Sequence, residues 1–172
     1  MNSSLSSKSR FAVSHKISRQ TRFIANGVVL VMFVLMLAGC ASTPKPVIVG
    51  MQITASSDVN PDLQGRPSPV ILHVIELNSE EQFNRLDYTS LTQPSGAALG
   101  QDLLSKTRLI LSPGDTKQLP LELNSQTTFI GLVAGFRDID NAIWRTTVPV
   151  VQGSTKAVTV TLAKQSITTT VN

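Results

Sequence analysis

Cys40 is the residue whose position most clearly points to a chemistry. It is the only cysteine of the 172-residue chain, and it ends the tetrapeptide Leu37-Ala38-Gly39-Cys40 directly after an apolar run at 28–38. A single thiol cannot form an internal disulfide, so its position must reflect a different chemistry. Residues 1–22 hold five basic side chains and no acidic one. A basic segment, a short apolar run and small residues, in this order, are typical of an export signal.

The tetrapeptide that ends in Cys40 resembles the lipobox of bacterial lipoproteins, in which the signal peptidase cuts before the cysteine. The resemblance implies cleavage between Gly39 and Cys40, a diacylglycerol on the sulfur and an acyl chain on the new amino group. It also implies sorting to the outer membrane, because Ala41 stands where an aspartate would retain a lipoprotein in the inner membrane. The predicted organisation is a signal peptide at 1–39, a lipidated tether at 40–46 and a folded domain at 47–172.

Two alternative roles of Cys40 and its flanks stay open. The uncharged stretch 23–44 could be an uncleaved membrane anchor, which needs roughly 20 residues. Asn26 and Gly27 interrupt that stretch, however, and no aromatic belt follows it. The second alternative is a buried structural cysteine, although nothing around Cys40 has the pattern of a folded core.

The charge of the whole chain is misleading about its partners. The net charge is +4, but five of the 15 Lys and Arg residues belong to the predicted signal, and all 11 Asp and Glu residues lie beyond it. The exported part is therefore close to neutral, at about −1, which argues against nucleic acid as a partner. With one cysteine in an oxidising compartment, the fold must depend on packing rather than on disulfides.

Catalytic and metal-binding candidates are few, and we predict that the protein is not an enzyme. His73 is the only histidine beyond the signal, and it falls within a predicted strand, without a Gly-x-Ser-x-Gly elbow to supply a nucleophile. The carboxylates of Glu80 and Glu81 fit the first turn of a helix better than a paired-carboxylate site. The segment 138–141 (Asp-Ile-Asp-Asn) offers oxygens to a calcium ion, but a turn is the simpler interpretation. No metal or small-molecule substrate is expected.

Alternating apolar residues predict a mainly β fold. The period of two at 47–54, 118–123 and 156–162 indicates strands with one buried face, whereas 69–77 and 127–137 are apolar on both faces and indicate central strands. Pro120 marks its strand as an edge strand, since proline cannot donate to a ladder. Further strands are predicted at 107–111, 143–151 and 167–171. Seven to eight short strands with frequent turns indicate an antiparallel β-sandwich.

A short helical insertion is predicted after the second strand. Ser79 and Gln82 fit a capping box, and apolar residues to about residue 92 form a helical stripe. A second short helix is expected within 97–105. Trp144, the only tryptophan, is expected in the core, with Arg145 pointing the opposite way, toward solvent or a carboxylate.

The loop at 56–68 is predicted to be the functional segment, because long ordered loops on a rigid scaffold often carry function. Together with other blocks of the chain it resembles the TssJ (SciN) family of outer-membrane lipoproteins of the type VI secretion system. The blocks that carry the resemblance are Asn60-Pro61-Asp62, Gly65-Arg66-Pro67-Ser68-Pro69, the strand 70–77 followed by Phe83, Leu111-x-Pro113-Gly114, and Ala134-Gly135-Phe136-Arg137-Asp138 with Ala142-x-Trp144-Arg145.

The resemblance implies a transthyretin-like β-sandwich anchored by its lipid at the periplasmic face of the outer membrane. It implies one partner, the periplasmic region of the IcmF-like inner-membrane protein TssM, and through it TssL. The partner-binding residues are then expected in the loop, at Asp58, Asn60, Asp62, Leu63, Gln64 and Arg66. The alternative function is a lipid-anchored periplasmic carrier of a small ligand, against which the scarcity of aromatic residues argues.

Overall fold

Eight strands form the framework of residues 47–151 and 157–172, the part of the chain that the computed structural model describes. The strands are β1 (Val47–Ala55), β2 (Val70–Leu77), β3 (Leu103–Leu111), β4 (Thr116–Leu123), β5 (Phe129–Gly135), β6 (Arg145–Pro149), β7 (Ala157–Leu162) and β8 (Ile167–Val171). These residues belong to one unit, Pro44–Asn172. The predicted signal peptide, Cys40, Ala41 and the tether lie outside the described residues. No described helix is both long and apolar enough to span a bilayer.

The strands form two four-stranded sheets, with the orders β4-β1-β7-β8 and β3-β2-β5-β6. The predicted mainly β sandwich is confirmed, and so are the edge position of β4 with Pro120 and the central positions of β2 and β5. One pairing differs from the expected antiparallel arrangement, because β1 and β7 run parallel. Strands joined by a hairpin must be antiparallel, but β1 and β7 are far apart in the sequence and no such constraint acts on them.

The main core lies between the sheets and is built from the alternating faces that the sequence pattern predicts. In the first sheet Met51 of β1 lies between Leu119 of β4 and Val158 of β7. Leu72 of β2 and Leu132 of β5, in the second sheet, are fully buried in the same cluster. Because every second side chain along a strand points to the same face, a period of two in the sequence is enough to specify this core.

A second apolar cluster covers the outer face of the β2–β5 sheet and explains why these two strands are apolar on both faces. The helical insertion consists of α1 (Glu81–Arg85), α2 (Tyr88–Thr92) and a 3₁₀ segment, Ala97–Asp102. Buried side chains of the insertion pack on buried side chains of the sheet; they are Phe83, Leu91 and Leu99 on Ile75, Leu77 and Val133.

Two local expectations about the insertion are wrong. The capping box does not form, because the residue that precedes α1 is Glu80 and it makes no side-chain cap. Instead the Ser79 hydroxyl accepts a hydrogen bond from the Glu81 N–H at 3.3 Å. The single helical stripe is two short helices, and the second begins where Asp87 accepts a hydrogen bond from the Ser90 N–H at 2.7 Å.

Arg145 also differs from the expectation, since it points neither to open solvent nor to a carboxylate. Its guanidinium lies 4.8 Å from the ring centroid of Trp144. It donates hydrogen bonds to the carbonyl oxygens of Phe83 at 3.1 Å and Leu86 at 2.8 Å. These are carbonyls near the end of α1, which lack helical partners. Arg145 thus joins the insertion to β6, while Trp144, half-buried, packs against both apolar clusters.

Candidate functional site

The loop between β1 and β2, residues 56–69, is held at its base by the core. Val59 is fully buried in the main apolar cluster, and its carbonyl oxygen accepts a hydrogen bond from the Ser68 N–H at 3.1 Å. At the start of the loop the Ser56 N–H donates to the Leu162 carbonyl at the end of β7, at 2.8 Å. The two ends of the loop are therefore fixed to the sandwich.

Asn60 ties the loop to two other segments. Its side chain, 3% exposed, donates to the Pro69 carbonyl at 2.7 Å and accepts from the Arg137 N–H at 2.7 Å. Its own N–H donates to the Lys164 carbonyl at 2.9 Å. The backbone of Asn60 is left-handed, with φ 52°, a conformation that asparagine tolerates better than most residues. The structure places this predicted contact residue inside the fold, where it positions the loop.

Asp62 closes the tip of the loop. Its carboxylate accepts hydrogen bonds from the N–H groups of Gln64 and Arg66, both at 2.9 Å. It also forms an ion pair with the Arg66 guanidinium, whose Nε and Nη2 both lie 2.8 Å from Oδ2. The hydrogen bonds from Arg66 lower the pKa of the Asp62 carboxyl. The bond from the Arg66 backbone N–H has the largest effect, and the bond from its side chain comes next. The tip from 62 to 66 is therefore a closed turn, organised around one carboxylate.

The tip presents an apolar side chain to solvent. Leu63 is 100% exposed, and the neighbouring Gln64 and Arg66 are exposed as well. Arg66 and Gln64 are also linked, since Arg66 Nη2 donates to Gln64 Oε1 at 3.2 Å. Asp58 is exposed near the base, where its carboxylate accepts from the Ser56 hydroxyl at 2.6 Å. Of the six predicted contact residues, Leu63, Gln64 and Arg66 present the side chains that a partner would meet first.

A groove of about 920 Å³ runs beside the tip and includes residues that the sequence analysis did not assign to a site. Arg137 follows β5, and Lys164 and Gln165 form the turn between β7 and β8; all three line the groove. Gln165 links the two segments, because its amide donates to the Asp138 carboxylate at 2.9 Å. In the sequence these are ordinary turn residues, and only the strand order brings them next to the loop.

The segment 138–141 is a turn, as predicted. It contains a 3₁₀ segment, Ile139–Asn141, and the Asn141 amide donates to both oxygens of the Asp138 carboxylate, at 2.9 and 3.2 Å. Within the described ranges, no group of three or more His, Cys, Asp or Glu residues could hold a metal ion.

The remaining catalytic candidates are separated from one another. Glu80 accepts a hydrogen bond from the Thr147 hydroxyl at 2.7 Å, whereas Glu81 lies 3.8 Å from Arg85, so the two carboxylates do not act as a pair. His73 lies in the central strand β2, 6% exposed. In the described part of the chain no group bonds to its Nδ1, which is where the carboxylate of a catalytic triad would orient the ring.

One cavity lies where the two sheets face each other, and it is too small for an organic ligand. The cavity bordered by Val49 of one sheet and Ile130 of the other has a volume of about 10 Å³, about what one water molecule needs. This cavity therefore gives no support to a carrier that holds a ligand between its sheets.

Comparison with known proteins agrees with this fold. The sequence model of the type VI secretion lipoproteins (VasD, EvfM, TssJ) matches residues 48–165. The crystal structure of the type VI secretion lipoprotein TssJ1 from Pseudomonas aeruginosa is similar, with a TM-score of 0.72 and 32% identity over 74% of this chain and 97% of that chain. Among curated proteins, none matches the sequence.

Two more distant structures show the same fold. One is Serratia marcescens Lip, a membrane-bound component of the type VI secretion system, with a TM-score of 0.67 and 22% identity over 73% of this chain and 98% of that chain. The other is a chain from the structure of the type VI secretion protein TssM C-terminal domain from EAEC. Its TM-score is 0.59, with 20% identity over 72% of this chain and 97% of that chain.

Proposed function

Because the chain belongs to the type VI secretion lipoprotein (TssJ) family, we propose that it anchors the secretion membrane complex to the outer membrane by binding the periplasmic part of TssM, and TssL through it. The family match covers residues 48–165, nearly the whole folded domain. The family is one of structural lipoproteins of a secretion system and is not a known enzyme family. The proposed role is accordingly mechanical and needs no catalytic residue or cofactor.

The proposed anchor is the lipid on Cys40. Burial of an acyl chain contributes about 0.8 kcal/mol per CH₂, and a single chain binds a membrane only reversibly. A diacylglycerol and an N-acyl group together supply three chains, which makes release from the membrane negligible. Ala41 supports sorting to the outer membrane, and the tether at 40–46 would leave the domain in the periplasm.

The proposed partner surface is the tip of the loop with the groove beside it. The observation that carries this proposal is the fully exposed Leu63 on a turn that Asp62 and Asn60 hold in place. A leucine left in water contributes nothing to folding, but its burial in a complex is worth about 1.5–3 kcal/mol. Since the turn is already ordered, little conformational entropy is lost on binding. A chain in the structure of a TssM C-terminal domain has the same fold as this chain. This similarity supports TssM as the partner.

Leu63→Ala tests the proposed surface. We expect its affinity for the purified periplasmic region of TssM to fall about tenfold or more, since most of the buried apolar area of the side chain is lost. Ile48→Ala is the matched control, because Ile48 is a branched apolar residue that is 51% exposed on β1, away from the loop. Equal affinities of both variants and the native protein, measured by calorimetry, would show that TssM binds another surface.

A further inference from the structure

A second cavity lies on the outer face of the β2–β3 pair, beneath the helical insertion. It has a volume of about 440 Å³ and is bordered by β2, β3, α2 and the segment that follows α2. Its apolar wall includes Ile71, Pro94 and the ring of Tyr88. The residues that line it are not those of the loop between β1 and β2, so the cavity has no part in the proposed TssM contact.

The charged residues of this cavity are all basic. Lys106 and Arg108 lie two positions apart on β3 and therefore point to the same face, and no acidic side chain of the described structure lines the cavity. Lys106 Nζ donates to the carbonyl oxygens of Leu91 at 2.7 Å and Gln93 at 2.8 Å. Arg108 is exposed, and no carboxylate of residues 47–151 or 157–172 forms an ion pair with it. Its guanidinium is thus available to an anion.

His73 adds a buried polar group without a partner. It pairs with Arg108 across the β2–β3 ladder and is 6% exposed, yet its Nδ1 has no hydrogen-bond partner among the described residues. Buried polar atoms in proteins nearly always have a partner. Burial, and then the charges of Lys106 and Arg108, lower the pKa of His73 to about 4. The imidazole is therefore neutral at neutral pH and can both donate and accept a hydrogen bond.

We propose that this cavity binds a small anion, a carboxylate or phosphate group, with Arg108 and Lys106 supplying the charge and His73 a hydrogen bond. A guanidinium presents a planar fork of donors that matches either group. The apolar wall of Ile71, Pro94 and Tyr88 would hold a short hydrocarbon body attached to the anion. The hydroxyl of Tyr88 stays protonated, since burial raises its pKa.

The test follows His73 by NMR in the lipidated mature protein, kept in a nonionic detergent. The processed chain contains a single histidine, so selective ¹⁵N-histidine labelling reports on this site alone. Sodium phosphate and sodium acetate are added separately at pH 7, with sodium chloride keeping the ionic strength constant. We expect a saturable shift of the imidazole nitrogens with at least one of the two anions. Phosphate alone would identify a phosphate ester as the ligand class, and acetate alone a carboxylate.

Two further readouts separate a bound anion from a general salt effect. Arg108→Gln should weaken binding about tenfold or more, as expected for loss of a charge-assisted hydrogen bond. Arg85→Gln removes an exposed arginine of the insertion outside the cavity and should leave the affinity unchanged. The bound anion should also raise the pKa of His73, because an opposite charge favours the imidazolium. If neither anion gives a saturable shift, or if Arg108→Gln binds as tightly as the native protein, the proposal is wrong.

Discussion

Asn60 allows the most detailed prediction, because its side chain and its backbone conformation contribute separately to stability. Asn60→Ala removes the hydrogen bonds to the Pro69 carbonyl and from the Arg137 N–H. Each bond is worth about 1 kcal/mol, and more where the remaining partner is left buried and unpaired. Alanine adds about 1–2 kcal/mol of strain at a left-handed backbone. The expected loss in the free energy of unfolding is therefore about 3–5 kcal/mol.

Asn60→Gly separates the two effects. Glycine adopts φ 52° without a steric cost, so this variant loses the same hydrogen bonds but not the strain. We expect a loss of about 2–3 kcal/mol, at least about 1 kcal/mol less than for Asn60→Ala. Urea unfolding of the mature protein, followed by the fluorescence of Trp144, measures both values, since Trp144 is the only tryptophan.

The same pair of variants links loop geometry to binding. Both should weaken TssM binding, because the tip that carries Leu63 is no longer held in one conformation and ordering it reduces the net affinity. If Asn60→Ala is as stable as the native protein to within about 0.5 kcal/mol, which is typical of a neutral surface change, Asn60 does not hold the loop. Equal losses for alanine and glycine would show that the left-handed backbone carries no strain.

Three further predictions concern the anchor, the buried histidine and the insertion. Cys40→Ser should move the protein from the outer-membrane fraction to the soluble periplasmic fraction and abolish secretion; retention in the membrane with secretion intact would contradict the anchor role. His73 is protonated below pH 6.5 in the unfolded chain but only below about 4 in the folded one. The folded state should therefore lose stability as the pH falls through this window, by at most about 3 kcal/mol, and His73→Gln in chloride buffer should remove that part of the pH dependence. Arg145→Lys should cost about 1–3 kcal/mol in urea unfolding, with Arg85→Lys as a neutral exposed control.

Much of the sandwich could be predicted because a strand shows in the sequence as a local pattern of apolar and polar residues. The alternation at 118–123 and the proline at 120 were enough to identify an exposed edge strand. The apolar character of both faces of β2 and β5 correctly indicated central strands. The sequence did not predict that the helical insertion covers the outer face of β2 and β5. This packing depends on the insertion folding back onto the sheet.

The details of the insertion depended on tertiary contacts. Ser79 and Gln82 match the pattern of a capping box, but α1 begins after Glu80, whose carboxylate accepts a hydrogen bond from Thr147 of β6. Arg145 was expected to point away from the core because neighbours on a strand face opposite ways. Its long side chain instead turns back over Trp144 and donates to the carbonyl oxygens of Phe83 and Leu86. The local sequence pattern does not predict this orientation.

The sequence by itself determined the features that are local in the chain. These are the strand pattern, the long loop at 56–68 and the near-neutral charge of residues 40–172; the export signal with its lipobox and the lipidation of Cys40 stay predictions. The tertiary structure decided which loop residues face outward, placing Leu63 in solvent and Asn60 inside. It also brought Arg137 and Lys164 beside the loop, and Arg108 beside His73. Such neighbours are 35 or more positions apart in the sequence, and only strand order and register bring residues so distant together.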